Sequence, residues 1–235
     1  MLGFANRTHQ SFIRICCLLL FCLSHNAAAT THTDSWSTAI ITGSLTKDEK
    51  LKYYLQPSLN FEDDQYKYRS SNLYLGLGVQ SYPNLSLWLM NGWNNRLGAS
   101  GKYRNTDTIR QQANWGLLAS DLLSITSITR LEERKDYSEP EWSLRFRERM
   151  IFRFPLKNWE RHSIVTFDEI YLNLNNPPWV NSNSVFSQNH IFLGIGTQLS
   201  PFVSFDFGYM NQYLMRLTGN QDNNIIYLAF NVALP

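Results

Sequence analysis

Arginine dominates the side chains of this sequence that can do chemistry, and its spacing is regular. Arg145, Arg147, Arg149 and Arg153 fall on one parity, so in an extended strand over residues 142–156 their guanidinium groups share a face with Ser143 and Ile151. The opposite face carries Trp142, Leu144, Phe146, Glu148, Met150, Phe152 and Phe154. Upstream, Arg130, Glu132 and Arg134 share a face with Thr126 and Ile128; downstream, Glu169 shares one with Tyr171 and Asn173. Guanidinium groups two residues apart on a strand lie roughly 7 Å apart and repel by about 2 kcal/mol at an effective dielectric of about 20. They need counter-charges, which Glu132 and Glu169 can supply from the flanking strands. Two chemistries follow: a salt-bridged lumen that fills a small barrel, or a basic slot for an anionic solute or lipid headgroup.

Catalysis has little to stand on. Past residue 29 the histidines are His32, His162 and His190, and only His190 shares the expected inner face with Glu169 and Ser143. No local motif supports a nucleophile–base arrangement there. Asp168 and Glu169 are adjacent, so on a strand they point to opposite sides and make no acid–base pair. Gly76-x-Gly78 and Gly194-x-Gly196 lie mid-strand with no helix following, which suits kinks or room for lumen side chains rather than phosphate loops. No Cys or His cluster offers a metal site, and no catalytic residue, metal or cofactor is expected.

The elements that must position the arginines read as strands. An oily face backed by a charged one is the wall of a membrane β-barrel if the charges point inward, or a soluble strand if they face solvent. The start of the chain favours export: Arg7 and Arg14, the apolar run 15–23, and Ala27, Ala28 and Ala29 make a secretory signal peptide over 1–29, with a mature chain from about Thr30. Cys16, Cys17 and Cys22 all leave with that signal, and Phe21 before Cys22 argues against a lipoprotein. The net charge of +2 over 235 residues implies no nucleic-acid partner. No later stretch is apolar enough to cross a bilayer as a helix, so a spanning chain must be a barrel.

Alternation and turn residues mark eleven strands between 36 and 234, although bacterial single-chain barrels have even numbers. Ten strands result if 36–45 is irregular, twelve if one is hidden. Short breaks at 81–84, 119–121, 157–162 and 200–201 fall at one end, and loops at 94–107, 135–141, 175–185 and 214–223 at the other. The turn at 157–162 makes its two flanking strands a hairpin whose facing residues sum to 318–320. Two carboxylates, Glu148 and Asp168, fall on the lipid side, and for Asp168 a bulge turning it inward is the expected escape.

Five motifs in order, R-L-E-E-R at 130–134, R-F-R-E-R at 145–149, F-D-E-I-Y-L-N-L-N at 167–175, Q-N-H-I-F-L-G-I-G at 188–196 and G-Y-M-N-Q-Y at 208–213, resemble the bacterial family catalogued as domain of unknown function 2490. His190 stands where that family usually has arginine, and the chain ends on Leu234-Pro235 rather than an aromatic. The resemblance implies an outer-membrane β-barrel of unassigned activity. Together with the residues it gives an all-β, antiparallel transmembrane barrel of about 10–12 strands over 30–235, in the outer membrane of a Gram-negative bacterium. Its expected lumen charge network is Arg130, Glu132, Arg134, Arg145, Arg147, Arg149, Arg153, Glu169 and His190. Its expected partners are outer-membrane lipid and the outer-membrane assembly machinery. The competing readings are a lipid-modifying barrel enzyme and a soluble periplasmic β-protein that binds a ligand.

Overall fold

The structure, a computed structural model, describes residues 30–62, 67–98 and 101–235; the segment 1–29, expected to be a signal peptide, lies outside them. Eleven strands follow one another: β1 Thr30–Ser44, β2 Leu51–Glu62, β3 Lys67–Tyr82, β4 Leu85–Leu97, β5 Tyr103–Ala119, β6 Ser124–Asp136, β7 Trp142–Pro155, β8 His162–Asn173, β9 Phe186–Ser200, β10 Val203–Leu214 and β11 Gln221–Ala233. Each pairs with its sequence neighbour, and β1 joins β11 to close a barrel. Closure satisfies the backbone donors and acceptors that an open edge would expose.

The strand number is the eleven that alternation marks, within the expected 10–12, and being odd it departs from the even-number rule that asked for ten or twelve. Residues 36–45 are not irregular, because β1 runs from Thr30 and pairs on both sides. In a chain of consecutive hairpins an odd count leaves the first and last strands pointing the same way, so β1 and β11 pair in parallel from Thr30↔Gln221 to Thr42↔Ala233. On its other side β1 loses register pairs around Pro57, whose ring removes a ladder donor.

The loop expected at 94–107 is largely strand. β4 and β5 stay paired out to Leu97↔Tyr103, leaving 98–102 between them. Asparagine, arginine and glycine read as loop in the sequence, but here they decorate strands that run past the apolar band. Asn95 donates to Asn105 Oδ1 (2.7 Å), and the Asn94 and Asn72 amides also bond. Only the connection 174–185, with its turn of 3-10 helix at Pro178–Val180, remains long. The end that carries it and the connections 98–102, 137–141 and 215–220 is the loop end; the opposite one, with 45–50, 83–84, 120–123, 156–161 and 201–202, is the turn end.

The outer wall is apolar, with Leu75, Leu77, Leu89, Leu193, Ile195 and Ile226 exposed on it. Exposed aromatics flank this band, Trp93, Tyr103 and Trp142 towards the loop end and Tyr82, Trp115 and Phe202 towards the turn end. Such a wall is what hydrocarbon solvates, and the paired aromatic belts are those of a transmembrane barrel. Both outward carboxylates are answered locally. Glu148 accepts from the Ser127 and Thr129 hydroxyls (2.6 Å each), and Asp168 accepts from the Asn189 amide (2.5 Å). No bulge turns Asp168 inward, since it stays in register opposite Met150 and Ile191.

Inside, large side chains fill the barrel. About eight strands enclose a lumen that ordinary side chains just fill, so eleven need bulky ones. One cluster joins Val165, Phe167, Phe192, Met210, Ile225, Tyr227 and Ala229 with Trp36 and Ile151, and a second joins Tyr54, Tyr74, Trp88 and Met90 with Ile40. Gly78 makes room for this filling, because a Cβ there would run into the Trp88 ring facing it across β3 and β4.

Candidate functional site in the barrel lumen

Between these clusters lies a group of guanidinium and carboxylate side chains from β5, β6, β7 and β8. Strand parity puts them there: Arg110, Arg130, Glu132, Arg147 and Glu169 are all buried, and both glutamates have 0 % exposure. The hairpin of β7 and β8 takes the register summing to 318, with Arg149 opposite Glu169 and Arg147 opposite Tyr171.

Each glutamate collects three arginines. Glu132 Oε1 accepts from Arg110 Nε (3.0 Å) and Arg147 Nη1 (2.6 Å), and its Oε2 accepts from Arg145 through Nε (2.9 Å) and Nη2 (2.5 Å). Glu169 Oε1 accepts from Arg130 Nη1 (2.5 Å) and Arg147 Nη2 (2.8 Å), while Oε2 accepts from Arg149 Nη2 (2.7 Å) and the Tyr171 hydroxyl (2.9 Å). Arg147 therefore ties the two carboxylates together. The guanidinium forks suit this double use, since each offers five fixed donors. Five cations against two anions leave positive charge that ring faces and amide oxygens must soften. Arg110 lies 3.6 Å over the Tyr74 ring centroid, Arg149 is 4.3 Å over Phe167, and Arg130 donates to Gln112 Oε1 (2.7 Å).

His190 extends the network towards β10 and β11. Its Nδ1 is 3.2 Å from the Tyr171 hydroxyl and 3.8 Å from Glu169 Oε2, and its Nε2 is 2.8 Å from the Gln212 amide nitrogen. Asn223 donates to Gln212 Oε1 (2.8 Å), so the Gln212 amide turns its N–H groups to His190. Nε2 is then the acceptor and Nδ1 carries the proton, directed at Tyr171, whose own proton goes to Glu169. The chain Asn223–Gln212–His190–Tyr171–Glu169 thus runs with one donor direction throughout. Trp36 of β1 meets the His190 ring edge-on at 5.6 Å, which links the seam strand to the network.

Of the residues singled out from the sequence, Arg130, Glu132, Arg145, Arg147, Arg149, Glu169 and His190 come together. Arg134 stands towards the loop end, donating to Ser143 Oγ (2.7 Å) with its guanidinium 5.3 Å from the Trp179 ring. Arg153 stands towards the turn end, where it grips Asp206 with two bonds of 3.0 Å. Ser143 is engaged with Arg134 and makes no bond to His190, so Ser, His and carboxylate do not assemble. His162 is at the turn end, 3.0 Å from Thr197 Oγ1. Among the described residues no group of three His, Cys, Asp or Glu side chains could hold a metal ion.

Arg110 escaped the sequence reading, and the signal that would have found it is weak. It shares parity with Thr108 and Gln112, but Gln111 on the outer face breaks the apolar alternation that reveals a wall. Asp206 was hidden because its partner Arg153 lies three strands away, and Gln212 and Asn223 because uncharged amides give no sign in the sequence of what they bond.

A family model described as "Protein of unknown function (DUF2490)" matches residues 33–223, and the chain belongs to that family. An uncharacterized protein of Methylorubrum extorquens is 28% identical over 116 residues, which are 49% of this chain and 50% of that protein. The chain thus spans about half the length of this curated relative. Among solved structures, the NanC porin is similar with a TM-score of 0.46 and 9% identity, over 81% of this chain and 93% of that one. The siderophore receptor PirA from Pseudomonas aeruginosa is similar with a TM-score of 0.30 and 13% identity, over 73% of this chain and 33% of that one.

Proposed function

We propose that this DUF2490 member is an integral outer-membrane β-barrel whose lumen is braced by its own charges, a closed wall element rather than a diffusion pore. The observation that carries this reading is the pair of fully buried glutamates, Glu132 and Glu169, each bonded by three arginines across the middle of the barrel. A water-filled channel passing these groups would leave them accessible. Burying charge is costly, and it is tolerated where every lone pair finds a donor. The export signal over 1–29, the apolar outer wall and its aromatic belts support the outer membrane as its place. Outer-membrane lipid is then its immediate partner, and the barrel assembly machinery its route of insertion.

Purified barrel reconstituted in a planar bilayer tests this. The wild type is expected to give no steady single-channel conductance, and Glu169→Gln, which unlocks three arginines, to give irregular openings. A stable ohmic conductance in the wild type would overturn the closed-lumen reading.

A further inference from the structure

The loop-end mouth of the barrel holds arginines of a different kind. Arg69 contacts Glu62, and Arg104 is paired with Asp136 at 2.8 Å. The side chains of Arg96 and Arg216 make no hydrogen bond and no ion pair among the described residues. Parity puts Arg96 on the inner face of β4, register-paired with Ser70 beside Arg69, and it lies within electrostatic reach of three arginines, Arg69, Arg104 and Arg216, and of one carboxylate, Glu62. Arg216 follows β10 and lines a recess of about 450 Å³ together with Ser182, Asn183, Ser184, Met215 and Leu217. That recess lies between the long connection 174–185 and the connection 215–220, which are pinned together where Leu217 N donates to Asn181 O (3.4 Å). Arg134, bonded to Ser143, continues the positive charge from the mouth inward as far as Arg145, which is paired with Glu132. At the turn end Arg153 is neutralised by Asp206, and Arg161 stands exposed on the turn 156–161.

We propose that the recess at the loop-end mouth is an anion site that takes a phosphate group, held by Arg216 and by the hydroxyls of Ser182 and Ser184, with the charge of Arg96 favouring the anion from outside the recess. A guanidinium that lines an open recess without a counter-charge, with further arginines in electrostatic reach, is costly for the protein alone and favourable once an anion arrives. Arginine forks match the oxygens of a phosphate, and two or more cations match its double charge better than that of a single carboxylate. The volume falls in the range of about 300–1,000 Å³ usual for small-ligand sites. Burial and the charge of Arg69 hold the Arg216 guanidinium below its usual pKa, the strain expected of a cation without its counter-ion. This site does not depend on whether the lumen is closed lower down.

Titration calorimetry of the full-length barrel in neutral detergent, with inorganic phosphate as the probe, tests the site. Saturable binding is expected, weakened about tenfold by Arg216→Gln and about tenfold by Arg96→Gln, the equivalent of roughly 1.4 kcal/mol each. Arg161→Gln, which removes the same charge from the turn end, should leave it unchanged. Heat-modifiable migration of each variant checks that it is folded. Absence of saturable binding by the wild type overturns the proposal, as does equal weakening by Arg161→Gln, which would reduce the effect to net charge. Short-chain phosphatidic acid in mixed micelles separates the sources of phosphate. Displacement of bound phosphate marks the site as one for a lipid headgroup, and no displacement marks it as one for a solute; either result supports the site.

Discussion

Mid-lumen and mouth use the same side chain in opposite ways. At mid-lumen each of Arg110, Arg130, Arg145, Arg147 and Arg149 is spent on Glu132 or Glu169, and the carboxylates are sealed from solvent. At the mouth Arg96 and Arg216 have no such partner among the described residues, and a recess opens beside Arg216. Arginine as such therefore says little about ligand binding in this fold. What matters is whether its counter-charge is built in. A paired guanidinium stiffens the barrel, and an unpaired one leaves a vacancy for an anion.

This contrast can be broken first at its strongest point. Glu169→Gln should cost roughly 3–5 kcal/mol, because it leaves Arg130, Arg147 and Arg149 buried around a neutral amide. The temperature at which the folded band converts in a detergent gel should fall steeply. Glu133→Gln, on the outer face, should leave that temperature almost unchanged. An equal fall for both would show that the inner face is not special.

His190→Ala should cost about 1–3 kcal/mol, since it strands the Tyr171 hydroxyl and the Gln212 amide away from water. Urea unfolding from lipid vesicles reads this out, and a change confined to near zero would mean that water replaces the ring. On the lipid side Asp168→Asn should shift stability by about 1 kcal/mol or less, towards greater stability, because the carboxylate there faces hydrocarbon with only Asn189 to answer it. Arg216→Gln should change stability by no more than about 0.5 kcal/mol, as befits a residue whose partner is not part of the protein. A large loss there would put Arg216 with the structural arginines.

Much of this was legible in the residues, and the failures share a cause. Parity in β7 and β8 placed the arginine ladder and Glu169 on one face because the other face is mostly apolar, with Glu148 and Asp168 as its charged exceptions. Where polar residues occupy both faces, as in 94–97 and 103–107, strand and loop look alike, and a paired extension was read as a long loop. Gln111 hid Arg110 for the same reason. Alternation marked eleven strands, and only the even-number rule turned that count towards ten or twelve, because nothing in β1 announces that it runs parallel to β11. The chain from Asn223 through Gln212 and His190 to Tyr171 runs between neighbouring strands, but it was missed because uncharged amides on an inner face do not announce a network.

The central claim is that the ladder points inward and is locked by Glu169, and a double-mutant cycle at Arg149 and Glu169 tests it most directly. The two are opposite in register and bonded at 2.7 Å. Removing either alone leaves a buried charge short of a partner, whereas removing both leaves less charge to satisfy. Unfolding free energies of Glu169→Gln, Arg149→Gln and the double variant should therefore show a coupling of at least about 1 kcal/mol, with the double variant more stable than Glu169→Gln alone. Strict additivity of the two losses would contradict the inward, carboxylate-locked ladder.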